Sequence, residues 1–154
     1  MIHAQNLAFQ QVIDPVANSG ATTAEAIDTQ GYNYLTVIVG SGNIASALTA
    51  LKLTESDSSG SGYADITGAN ADGGTDIDGV STALPSASDD DKMFIFEVDL
   101  RTRKRYIKPV VTGGGSSNGV FCLAIASRAN EAQGTAASRA LSGTAADIDA
   151  IIRI

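Results

Sequence analysis

The chain has 154 residues, and 24 Ala with 16 Gly occupy over a quarter of it. Its 32 Ile, Leu and Val and its four Phe suffice for one modest core and leave nothing for a second, so a single domain is expected. Seventeen acidic against ten basic side chains give a formal charge of -7, which repels phosphate backbones and argues against nucleic acid as a partner.

Alternation with period two dominates the chain, and clusters of Gly, Ser, Asn and Asp punctuate it as turns. Phe9 to Ile13 gives a weak first strand, and Ala26 to Asp28 begins another. Tyr32 to Val39 places Leu35, Val37 and Val39 on one face and Tyr32, Tyr34, Thr36 and Ile38 on the other, so both faces are expected to be covered. In Ala47 to Glu55, Leu51 and Leu53 face a core while Lys52 and Thr54 face solvent. Between Glu55 and Asp91 the pattern dissolves into a long Ser, Gly, Ala and Asp loop system with a short strand near Tyr63 to Ile66; long loops in compact domains are functional or disordered.

Lys92 to Leu100 is the clearest strand. Phe94, Phe96, Val98 and Leu100 share one face, with Glu97 and Asp99 opposite. Arg105 to Val111 follows a short basic turn and is expected to pair back antiparallel, with Pro109 demoting it to an edge or bulge. Val120 to Ala126 is apolar on both faces and reads as a central strand. Six or so strands without an amphipathic helix predict an all-β fold, an antiparallel β-sandwich of jelly-roll or Greek-key connection. The sandwich spans residues 1–128, with a loop-rich insertion at 56–91, and residues 129–154 form an extended Ala/Gly/Ser-rich C-terminal arm.

Candidate chemistry is sparse. The one histidine, His3, stands near the start of the chain, which disfavours Ser/His/Asp and Cys/His sites. Cys122 sits in an apolar strand, where burial raises a thiol's pKa and keeps it inert; alone, it cannot form an internal disulfide. Asp89, Asp90 and Asp91 read as a solvated turn rather than as paired catalytic carboxylates, which need rigid placement across a cleft. The run Asp72 to Gly79 offers oxygen ligands but lacks the spacing of a calcium loop. Gly113 to Ser117 lacks the Lys-Ser or Lys-Thr pair of a phosphate cradle and reads as a flexible connection. No enzyme, metal or cofactor is expected.

Two features point to adhesion. Arg101, Arg103, Lys104, Arg105 and Lys108 place half of the chain's cations within eight residues. Guanidinium suits carboxylates on a protein surface as well as phosphate, although a charged turn also protects a sheet edge from aggregation. At the other end of the sequence, Ile148, Ile151, Ile152 and Ile154 form either a strand closing the chain's own sheet or an inter-subunit arm docking on a neighbour. No apolar run approaches the roughly 18 to 20 residues that cross a bilayer, and the first six residues lack the pattern of a signal peptide, so no membrane partner is expected.

Residues Ala26 to Val37, Ala50 to Asp57 with the Ser/Gly loop after them, Leu84 to Ala87 and Val98 to Tyr106 resemble, in block order, small virion proteins of tailed bacteriophages. Those of assigned role in this group are head decoration, or cement, proteins. The resemblance spans about residues 26–128 and places the strand and turn Asp99 to Tyr106 as its most recognisable block. It implies a β-sandwich on the outer surface of the capsid, made in the host cytoplasm, with the major capsid protein and copies of itself, as a homotrimer, for partners. It implies no catalytic residue. The tail after Arg128 lies outside it.

Overall fold

The computed structural model describes residues 7–128 and 148–154. Most of the proposed arm, residues 129–147, and His3 lie outside the described residues. The strands are β1 (Leu7–Asn18), β2 (Ile27–Asp28), β3 (Tyr34–Ile44), β4 (Ala50–Ser56), β5 (Ala64–Asn70), β6 (Met93–Asp99), β7 (Tyr106–Thr112), β8 (Asn118–Ser127) and β9 (Ile148–Arg153), with one 3-10 turn at Leu100–Thr102. A five-stranded sheet runs β1-β8-β3-β6-β9 and a four-stranded sheet β2-β7-β4-β5.

Every pairing is antiparallel except that of β9, which lies parallel to β6 of the same chain, Ile152 opposite Phe96. Of the two roles open to the isoleucine-rich tail, the described residues therefore carry the strand of its own sheet. Ile152 is 1% exposed, and Ile154 is partly buried against the core.

The period-two pattern fixes which side chains meet between the sheets. Leu35, Val37 and Val39 of β3, Phe94, Phe96 and Val98 of β6, and Cys122 and Ala124 of β8 point inward. They share one apolar cluster with Leu51 and Leu53 of β4 and Ile107 and Val111 of β7. As expected, β8 is central, between β1 and β3. On the outer face of the five-stranded sheet, the Phe121 ring lies over Gly40, where any β-carbon would collide with it. The bare glycine backbone of a central strand is thus covered by a cross-strand aromatic.

Several expectations are revised. The strand after the basic turn does not pair back on β6. The Asp99 carboxylate accepts the Arg101 amide (3.1 Å) and caps the 3-10 turn, whose buried Leu100 plugs the end of the core, and the chain crosses to the other sheet. There β7 lies between β2 and β4, but β2 reaches only Tyr106 and Ile107, so Pro109 keeps one open flank, as expected of an edge.

Its missing donor is still tolerated. The carbonyls of Arg105 and Val111 accept from Thr29 and Thr22 (3.0 and 2.9 Å), so by alternation the Pro109 nitrogen faces the same flank. Between those contacts the facing backbone turns away to β1, Glu25 donating to the Val12 carbonyl (2.9 Å). On that flank no ladder partner stands opposite the proline, whose only paired neighbour is Leu53 of β4.

Thr54, expected in solvent, is buried and donates to the Lys108 carbonyl (2.9 Å). Glu97 is only 7% exposed. The 56–91 region contains the edge strand β5, longer than expected. The glycine run 113–115 is pinned rather than flexible: Gly113 and Gly115 donate to the Gly20 and Ser19 carbonyls (2.8 and 3.0 Å), and a β-carbon at Gly114 would overlap the Ala47 carbonyl.

Candidate functional site

The strand directions gather residues 28–33, 56–63, 99–106 and 128 at one end of the fold, and residues 41–48, 71–91 and 113–118 at the other. The first end holds the basic turn. Its cations are compensated within the chain: Arg101 by Asp99, Arg103 by Glu55 (3.6 Å), Lys104 by Asp57 (4.0 Å) and Arg105 by Asp28 (2.7 Å). Arg105 grips both oxygens of Asp28, through Nε at 2.9 Å and a terminal nitrogen at 2.7 Å. The Arg101 Nε stands 2.9 and 3.0 Å from the two Asp99 oxygens. Read in sequence, the cluster is a patch of free positive charge; in the structure four of its five members stand in ion pairs, those of Arg101 and Arg105 two-pronged.

All four tyrosines of the chain lie at this end or on the strands entering it, each beneath a cation. Arg128 stands over Tyr32 (5.2 Å), Arg101 over Tyr34 (5.9 Å), Lys108 over Tyr63 (5.6 Å) and Arg105 over Tyr106 (5.0 Å). Cation and ring attract through the ring quadrupole, by about 0.5 to 1 kcal/mol when exposed. The cluster divides between two flanks. Arg101 stays with Asp99 and Tyr34 on the five-stranded sheet, whereas Arg103, Lys104, Arg105 and Lys108 belong with Glu55, Asp57, Asp28, Tyr63 and Tyr106 on the four-stranded side.

Proton affinities follow the pairing. The Arg101 side chain, and then its amide, hold the Asp99 carboxyl down to about 2, and the Arg105 guanidinium lowers Asp28. Burial raises Tyr63. Because Asp99 is depressed on folding, its contribution to stability is complete above its ordinary value of 3.8 and is lost as pH falls toward 2. A carboxyl-carbon NMR titration is expected to place the Asp99 midpoint near 2, and to move it upward in Arg101→Ala but short of the ordinary aspartate value, because the amide bond remains; a midpoint unmoved by that substitution would show that the pair does not form.

The opposite end carries Asp72, Asp76, Asp78, Asp89, Asp90 and Asp91. Three of these carboxylates tie down backbone. Asp76 accepts from the amides of Asp78 and Val80 (3.0 and 2.8 Å), Asp89 from that of Ser86 (2.8 Å) and Asp90 from that of Ile44 (2.6 Å). Among the described residues no group of three or more His, Cys, Asp or Glu is placed to hold a metal ion. Cys122 is fully buried, and desolvation pushes its thiol up to about 12.

The tyrosine lattice was missed in the sequence because its members are spread over residues 28–128. The available signal was that each Tyr lies within two residues of the start of a strand and that Asp28, Glu55 and Asp57 lie at matching strand ends. No protein-family model matches the chain, and no curated protein matches it.

Proposed function

We propose that this chain is a non-enzymatic structural protein of a tailed-bacteriophage virion, a decoration or cement protein seated on the outer capsid surface. In this proposal its sheets are connected as a Greek-key or jelly-roll sandwich, and its partners are the major capsid protein and two further copies of itself. The observation that carries the proposal is the Tyr and Arg lattice at one end. Tyr and Arg dominate the energetic centres of protein interfaces. Cations that bring their own counter-ions can be covered without a matching charge on the partner, which reduces the cost of burying them. A subunit that binds only the assembled shell stabilises it by mass action. The acidic far end then faces outward, where net charge opposes non-specific association.

The decisive experiment combines Arg103→Ser with Arg105→Ser and measures occupancy on purified particles by quantitative mass spectrometry. The Arg105–Asp28 pair is solvent-accessible and of the kind that contributes little to stability, whereas the Arg103–Glu55 side chains are mostly covered; affinity for the shell should fall at least tenfold, and Arg105→Ser alone, which should hold its melting temperature, serves if the double variant fails to fold. Full occupancy of the folded variant would remove the docking role. A copy number matching the capsid subunits supports decoration, whereas a few copies per particle would reassign the protein to the tail, the connector or a head fibre.

A further inference from the structure

The four-stranded sheet covers the inner face of the five-stranded one, and the outer face carries a second set of apolar side chains. Strand β8 is apolar on both faces, the pattern of a strand covered on both sides. Across β8, β3 and β6 one outward row holds Leu123, Ile38 and Ile95, and the next holds Phe121 and Met93 on either side of Gly40. All five side chains are in part exposed, and none is charged. At the margin Phe9, 59% exposed, stands opposite Ile125. The outward positions of the four-stranded sheet are mostly polar instead: Lys52, Thr54 and Ser56 on β4 face Val110, Lys108 and Tyr106 on β7.

We propose that a second copy of this chain covers the outer face, so that copies associate sheet against sheet. Contiguous exposed apolar surface marks an interaction site, and one apolar sheet face packs on another about 10 Å away with interdigitating side chains. The five strands, over the seven residues Phe121 to Ser127, present roughly 24 by 23 Å at the usual spacing and rise, on the order of 550 Å². Two such faces remove about 1,100 Å², above the ~1,000 Å² expected of a specific interface. Uncharged rows give a charged partner nothing to recognise. The same face of another copy is equally apolar, and stacking the two sets no charge of these rows against another. Association of identical chains through a shared patch is also the commonest form of symmetric assembly. The inference deepens the docking proposal, which calls for further copies without locating their contact, and rests on it only for their presence on the particle.

The test is sedimentation equilibrium of the full chain without particles, joined to isotope-filtered NOE spectroscopy of a mixed labelled and unlabelled sample. A multiple of the chain mass is expected, with NOEs between copies at the methyl groups of Ile38, Ile95 and Leu123. Leu123→Glu, which sets a charge in the middle of the face, should weaken association at least tenfold. Phe9→Ser, at a more exposed position on an edge strand, serves if that variant fails to fold. Val110→Glu, at an outward position of the other sheet, should associate as the unaltered chain does. The inference is overturned by a monomer at the concentrations used for NMR, by methyl NOEs that run only to residues 129–147 of the same chain, or by association that survives both outer-face substitutions. Particle occupancy of the Arg103 and Arg105 variants is read separately, so either proposal can fail alone.

Discussion

Replacing Ile152 by alanine is expected to lower the unfolding free energy by about 2 to 5 kcal/mol, the range for truncating a large buried aliphatic side chain. Ile152 is 1% exposed and stands in register with Phe96 across the parallel β6–β9 ladder. It is also the described tail residue most deeply set in the core. Because β9 pairs within its own chain, chemical denaturation should show the loss at every protein concentration. A midpoint that rises with concentration even when Leu123→Glu blocks association through the outer face would instead mark a strand donated between copies, the inter-subunit role that the sequence left open for Ile148, Ile151, Ile152 and Ile154. Without a well-seated β9, the long edge of β6 is uncovered, and unpaired edges invite aggregation. Light scattering of the variant is a second readout of the same defect.

Phe96→Ala is expected to cost about 3 to 5 kcal/mol, with Phe96→Leu costing under about 1.5 kcal/mol if its neighbours repack around a side chain of closer volume. The reasoning begins with composition. Two of the four Phe, Phe94 and Phe96, are buried, whereas Phe9 and Phe121 are exposed. Ala24, Ala69, Ala71, Ala124 and Ala126 belong to the same core cluster. Alanine has no side chain to swing into a void, so the cavity stays open and the larger penalty applies. A thermal melt showing a shift no greater than that of the leucine variant would mean that the sheets close together over the gap.

Strands whose two faces differ were legible in the sequence. β6 follows from alternation, since a one-residue slip would expose Phe94, Phe96 and Val98, whereas β8 and the first part of β3, apolar on both faces, were legible as short apolar runs bounded by turn residues. What could not be read was partnership. Arg105 to Val111 follows β6 after a short turn and resembles the return arm of a hairpin, yet the capped 3-10 turn with its buried Leu100 sends it to the other sheet. Local pattern records which face of a strand is apolar and carries no information about which sheet receives it. The basic cluster was legible as composition, but its neutralisation was not. Asp28, Glu55 and Asp57 are separated from their cations by some fifty to eighty positions and meet them only through the pairings of β2 with β7 and of β4 with β7. The Asp89 to Asp91 turn was recognisable as a turn, while its bond to the Ile44 amide depends on a β3 end that alternation leaves undefined.

Leu7, Ser127, Tyr34 and Asp99 stand opposite one another in successive strands, and the Asp99 amide donates to the Ile154 carbonyl (3.1 Å). One transverse row at the tyrosine end therefore joins the first and last residues described, about 19 Å apart at the usual strand spacing. Tension between those two points acts at right angles to the strands and peels the rungs of the ladder one after another, which is the weak direction of a β-sheet. Force entering through the turns at opposite ends of β3 acts along the strands and must break many rungs at once. The molecule is mechanically anisotropic, yielding to a lateral tug near its tyrosines and stiff against a lengthwise one.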